Sequence, residues 1–238
     1  MSWKKKLTVD VFDTDFNGVT RASSFLKYLQ TAATAQIQEC GPTADDLRAN
    51  GLAFILSAMD VDIKRPLHAW QTVTNESWGC PGKGFTYPRC YRISDGEGEI
   101  LTGISHWALL NFREKRIVRY SDEYIGFTPE EPLDMQIPRF RMPPLSELSR
   151  MGTYTVHYGV VDQNRHLNNT YYPDMFTSFI DMEGKWVRHL TIRFLKEAPA
   201  GSTLTVYARQ AETDRYEFLS VREDGAINAE AIFTLADL

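Results

Sequence analysis

SSFLKYLQTAATAQIQEC, residues 23–40, decides how the first half of the chain is built. Phe25, Leu29, Ala32, Ala33 and Ile37 recur at helical spacing, Ser23 or Ser24 stands where an N-cap belongs, and Gly41-Pro42 stops the run. The segment therefore reads as a long helix with one buried face. Before it lies LTVDVF (residues 7–12), a strand followed by a polar loop, and after it Thr43 opens a short capped helix that ends near Gly51. Residues 54–119 read as several strands, punctuated by turn signals at 66–70, 80–84 and 95–98. One helix followed by an antiparallel sheet results.

The same order returns further on. TYTVHYGVV (residues 153–161) reads as a strand, a polar loop follows, and a helical segment runs to about Glu183 with Gly184 after it. TLTVYAR (residues 203–209) then alternates, with Leu204, Val206 and Ala208 on one face, and Asp224-Gly225 marks a hairpin. Five of the 11 prolines fall within residues 129–144, where apolar periodicity lapses. This divides the chain into an N-terminal unit (1–128), a Pro-rich linker (129–150) and a C-terminal unit (151–238). Laid on each other, DTDFN (13–17) matches DQNRH (162–166), and residues 62–74 match 193–205 in pattern, so a duplicated unit is more economical than two unrelated domains. The resulting α+β plan, two tandem units each with a long central helix wrapped by an antiparallel sheet, resembles a double hot-dog fold.

Composition sets the outer limits. With 238 residues and 43% hydrophobic content the chain has enough apolar material for a substantial core. Lys and Arg number 26 against 31 Asp and Glu, a net charge of −5, which leaves no global footprint for nucleic acid. Cys40, Cys80 and Cys90 are an odd number without CxxC spacing, which points to a reducing cytosol rather than a disulfide framework or a zinc site. The basic start MSWKKK is followed by Asp10 and Asp13 instead of an apolar stretch, and no run reaches membrane-spanning length, so no membrane insertion is expected.

The stretch richest in chemistry is VDQNRHLNN, residues 161–169. In an extended segment Asp162, Asn164 and His166 point to one side, forming a carboxylate, carboxamide and imidazole constellation. Asn168 or Asn169 is placed to N-cap the following helix, whose free N–H groups suit a developing oxyanion. This D-x-N-x-H-x-N-N pattern, with FLKEAPAG (194–201) some thirty residues later, resembles the acyl-acyl-carrier-protein (acyl-ACP) thioesterases of bacteria and plant plastids, as does VDVFDTDFNGVTRASSFLKYLQTAA in the first half. The resemblance covers nearly the whole chain. It implies hydrolysis of acyl-ACP thioesters, with no cofactor and no metal, at Asp162, Asn164, His166 and Glu197. Plant members often carry Cys directly after that Glu; here Ala198 stands there, so a covalent Cys route through this position is closed and Glu197 must act on water.

On the sequence overlay Asn17 occupies the His166 position and Pro66 the Glu197 position, so one active site per chain is expected. Asp13-Thr-Asp15-Phe-Asn17-Gly18 matches half of a calcium loop but has Ser24 at its twelfth position, and Gly79–Gly84 lacks phosphate-loop spacing. His68, His106, His157 and His189 show no metal-ligand pairing. An acidic carrier protein needs a basic dock, for which Lys4, Lys5, Lys6, Lys64, Arg65, Arg188, Arg193 and Lys196 are eligible. The competing readings are an acyl-CoA thioesterase on the same fold and a non-hydrolytic acyl-binding protein. A monomer or a homodimer of double units remains open.

Overall fold

A computed structural model describes residues 2–238. The N-terminal half comprises β1 (Trp3–Thr8), α1 (Ala22–Cys40), α2 (Ala44–Ala49), β2 (Leu52–Ile63), β3 (Thr72–Gly79), β4 (Tyr87–Asp95), β5 (Gly98–Asn111) and β6 (Arg116–Val118). The C-terminal half comprises β7 (Ser149–Thr155), α3 (Tyr172–Thr177), β8 (Lys185–Phe194), β9 (Thr203–Glu212), β10 (Arg215–Arg222) and β11 (Ile227–Asp237). All strands share one antiparallel sheet in the order β1-β3-β4-β5-β2-β8-β11-β10-β9-β7, with β6 on β5. Reading outward from the β2–β8 seam, each half runs through its strands in the same order. That is the double hot-dog, and the duplication is visible in the topology itself.

The core lies between the helices and the inner face of this curved sheet. Phe25, Leu26 and Leu29 of α1 are fully buried, as are Met59 and Val61 of β2, Tyr91 of β4, Leu190 of β8, Phe218 of β10 and Phe233 of β11. Each such side chain contributes about 2–3 kcal/mol of burial. The seam pairs Ala58 with Arg193 through Asp62 with His189. Residues 119–148 carry little regular structure: Ile125, Tyr120 and Phe127 pack with Leu47, Tyr87 and Leu109, and Leu133, Met135 and Ile137 pack on Trp78, Cys80, Cys90 and Ile104.

Three local expectations are corrected. The strands expected at 7–12 and 153–161 begin and end earlier, at Trp3–Thr8 and Ser149–Thr155, and each gives way to a 3-10 turn, Val11–Asp13 and Tyr158–Val160. Ser23 and Ser24 do not cap α1, which starts at Ala22 behind Arg21 with no side-chain cap. The second helix is also not long: a 3-10 turn (Asn169–Tyr171) leads into six-residue α3. Thr177 Oγ1 and Ser178 Oγ bond back to the carbonyls of Pro173 and Asp174, competing with the next helical turn, and Phe179, Ile180 and Met182 then turn into the core.

Candidate active site

Every sequence-derived site residue meets at the junction between loop 161–169 and the chain leaving β8. The loop is a tight turn rather than the expected extended segment. Asp162 N–H donates to the His166 carbonyl at 2.9 Å, and Asp162 Oδ1 accepts from the backbone N–H groups of Asn164 (2.9 Å) and His166 (3.2 Å). Arg165 closes the turn in the left-handed region, φ 65°. Asp162 therefore shapes, through one carboxylate oxygen, the backbone that presents Asn164 and His166.

A second set of bonds fixes the loop against the Glu197 segment. Leu167 N–H donates to the Ala198 carbonyl and Ala200 N–H to the Arg165 carbonyl, both at 2.8 Å. His166 Nε2 thereby lies 3.4 Å from Glu197 Oε2. Glu197 itself is held through its carbonyl, which accepts from Arg222 Nη1 at 2.9 Å. Beneath it, fully buried Asn228 donates to Tyr172 Oη (3.0 Å) and to the Lys196 carbonyl, while its own carbonyl accepts from the N–H groups of Leu195 and Lys196. Burial pushes the Tyr172 phenol up to about 12, so it stays protonated.

Asn168 caps the following turn as expected, its carboxamide oxygen accepting from Thr170 N–H (3.0 Å) and Thr170 Oγ1 (2.9 Å). The turn it caps has three residues, so the array of helix-start donors foreseen around Asn168 and Asn169 is reduced. Asn164 remains available: its Oδ1 accepts from Arg48 Nη2 of α2 (3.4 Å), which leaves Nδ2 as a donor.

These groups surround the mouth of a cavity of about 720 Å³ shared by the two halves. The C-terminal half supplies Asn164, His166, Asn169 and Glu197, whereas α1, α2 and the first sheet supply Ala33, Ile37, Leu47, Leu52, Phe54 and Tyr87. Arg48, Arg222, Asn228 and Tyr172 were missed in the sequence. A polar residue at an inward strand position, Asn228 in INAEAIF, is the only signal that could have found one of them.

The first half repeats the turn without the chemistry. Asp15 Oδ1 accepts from Asn17 N–H (2.9 Å) and Val19 N–H (3.4 Å), Gly18 has φ 75°, and Thr20 N–H donates to the Leu67 carbonyl at 2.8 Å. Bond for bond, Asp15 corresponds to Asp162, Asn17 to Asn164, Val19 to His166 and Pro66 to Glu197. This corrects the sequence overlay by two residues in the loop: Val19, and not Asn17, stands where the imidazole is. The basic residues also sort themselves. Lys64, Arg65, Arg188 and Arg193 are paired with Glu99, Asp95, Asp62 and Glu230, whereas Arg165 and Lys196 beside the mouth have no acidic partner among the described residues.

Residues 1–127 match the family described as the acyl-ACP thioesterase N-terminal domain, and residues 145–235 the one described as the acyl-ACP thioesterase C-terminal domain. The fold is shared with an acyl-ACP thioesterase from Bacteroides thetaiotaomicron (TM-score 0.88, 16% identity, 99% of this chain and 98% of that one). It is shared equally with the 12:0-ACP thioesterase of Umbellularia californica (TM-score 0.89, 17% identity, 100% and 98%). A Bacillus subtilis relative, YneP, named for acyl-CoA thioesterase activity, is 26% identical over 97 residues, which is 41% of this chain and 70% of that protein. The class is thus a thioester hydrolase on a double hot-dog scaffold. Within it, the chain belongs to the acyl-ACP thioesterase family, whose reaction is hydrolysis of acyl-ACP thioesters. Among the described residues no helix is long and apolar enough to cross a membrane.

Proposed function

We propose that this chain releases free fatty acid from acyl-ACP at the His166–Glu197 pair and so ends acyl-chain elongation. The observation that carries the reading is the 3.4 Å approach of imidazole and carboxylate at the mouth of a cavity walled by both halves. A thioester needs little acid assistance, because its thiol leaving group has a pKa of about 8.5. What it needs is a base and a donor for the oxyanion.

Glu197, paired with His166, accepts a proton from water as the water oxygen attacks the thioester carbon. Asn164 Nδ2 donates to the carbonyl oxygen as it becomes negative. The tetrahedral intermediate collapses with cleavage of the C–S bond, and the departing thiolate takes the proton. Asp162 acts through the turn it holds, Asn168 fixes the next turn, and Asn169 lines the mouth. Arg48 and Lys196 line the cavity, Arg165 adjoins His166 in the loop, and these cations suit an acidic carrier protein. The same cations suit coenzyme A phosphates, the reading that the name of YneP favours.

Thiol release from matched acyl-ACP and acyl-CoA substrates, with Glu197→Gln alongside, tests both. Hydrolysis of acyl-ACP that is lost in the variant is expected. Wild-type rates in a folded Glu197→Gln protein would remove the assignment, and preference for acyl-CoA would move the substrate.

A further inference from the structure

One buried amide ties the segment that carries Glu197 to the helix that follows the His166 loop. Ser220 of β10 pairs with Ala229 of β11, and Val221 with Ile227, so Asn228 is the extra residue of a β-bulge. Its carbonyl accepts from Leu195 N–H (2.9 Å) and Lys196 N–H (3.1 Å), and its side-chain Nδ2 donates to the Lys196 carbonyl. The other Nδ2 proton goes to Tyr172 Oη of α3 at 3.0 Å. Asn228 Oδ1 accepts from Ser220 Oγ at 2.8 Å, and that hydroxyl accepts from Ala229 N–H at 3.1 Å. These bonds fix the direction of the amide and use both of its donors.

The first half builds the same bulge without these groups. Ile93 of β4 pairs with Leu101 of β5, and Ser94 with Glu99, which leaves Ile100 over, and Lys64 N–H donates to the Ile100 carbonyl (2.7 Å) as Leu195 N–H does to that of Asn228. Ile100 thus stands for Asn228 and Ile93 for Ser220. Counting on from the matched Asp15 and Asp162, Phe25 stands for Tyr172. All six side chains are buried. The fold therefore closes this bulge with three apolar residues in the half that lacks the imidazole and carboxylate, and with an amide, a hydroxyl and a phenol in the half that has them. Burying polar groups carries a desolvation penalty that their hydrogen bonds do little more than offset, so the architecture alone does not call for Asn228.

Resting on the thioesterase reading above, we propose that Asn228 is a positioning residue for that reaction: through the Lys196 carbonyl it holds the Glu197 carboxylate at His166, with Ser220 and Tyr172 fixing its amide. Asn228→Leu, which fills the space and donates nothing, should lower kcat for thiol release by about 10²-fold, the effect of roughly 1 Å of misplacement, and leave KM little changed. Tyr172→Phe keeps the bond from Asn228 to Lys196 and should retain most of kcat. Tyr172→Phe with Ser220→Ile and Asn228→Ile installs the set on which the first half already packs, and reads the same loss where the single variant does not fold. The imidazole nitrogen NMR signals of His166, assigned by their disappearance in His166→Ala, report the pairing without turnover: Asn228→Leu should move them to where Glu197→Gln does. Wild-type kcat in folded Asn228→Leu, or a lowered kcat with the imidazole signals unmoved, overturns the positioning role and leaves the thioesterase reading standing. No hydrolysis of any thioester by the wild type, with the signals moved alike in Asn228→Leu and Glu197→Gln, overturns the thioesterase reading and leaves Asn228 as the residue that holds the pair together.

Discussion

The two halves of this molecule fold by the same plan and carry different groups at the same place. In each, a strand ends in a 3-10 turn, an Asp side chain ties a tight loop, and the loop is pinned to the connection between the next pair of strands. In the first half Asn17 uses its whole carboxamide as a clasp, donating to the carbonyls of Met182 and Lys185 and accepting from Gly184 N–H. In the second half Asn164 meets only Arg48, because the facing segment has been rebuilt. There α1 continues for ten residues beyond the point at which α3 stops, and α2 follows, so the first half arches over the second half's loop. The candidate catalytic groups and the helices that cover them have been divided between two copies of one unit.

The sharpest way to break this comparison is chemical. His166→Ala or Glu197→Gln should lower thiol release by about 10²- to 10⁴-fold with little change in melting temperature. Placing the same groups in the other copy, Val19→His with Pro66→Glu, should create no measurable second activity in a His166→Ala background, since no extended helix covers that loop. Activity there would show that the roof is dispensable.

Next comes the matched pair of asparagines. Asn17→Ala should cost about 2 kcal/mol in urea unfolding, from three lost hydrogen bonds to backbone. Asn164→Ala should cost under about 0.5 kcal/mol while lowering kcat. The matched left-handed positions give a smaller effect. Gly18→Ala should destabilise by about 1 kcal/mol through φ alone, since a Cβ there meets nothing within 4 Å, and Arg165→Gly should be neutral within about 1 kcal/mol.

The smallest effect compares Lys27 of α1 with Asp174 of α3, which occupy equivalent helix positions. Burial raises the Asp174 carboxyl above its ordinary value of 3.8, with the Ser23 hydroxyl and the charges of Arg21 and Lys27 opposing the shift. A raised folded-state pKa contributes stability at low pH that is lost as pH rises through it, so at neutral pH the buried carboxylate is a burden. Asp174→Asn should therefore raise the melting temperature slightly at pH 7, and the gain should vanish below about pH 3.8, where both states are protonated.

What could be read in advance follows a physical line. Strand alternation and turn residues located the turns between β2 and β5, the strand β9 and the hairpin before β11, because burial on one face and hairpin chemistry are local. The two misplaced first strands failed in the same way: Val9 and Val156 are fully buried and continue the apolar pattern, while the chain has already left the sheet. Site residues were legible as a motif but not as a geometry. Nothing in the sequence distinguishes an Asp that touches substrate from Asp162, which bonds its own turn, and nothing brings Arg48 to Asn164 or Asn228 beneath Lys196 except the folded sheet.

The β2–β8 seam also decides how the protein behaves when dilute. Were these halves separate chains, the shared cavity would exist only while two molecules stayed associated, and its population would fall with concentration. Joined through residues 119–148, the second half meets the first at a fixed effective concentration in the millimolar range expected of a short tether. The working cavity is then a first-order property of one polypeptide, supplied in one-to-one stoichiometry by its own synthesis.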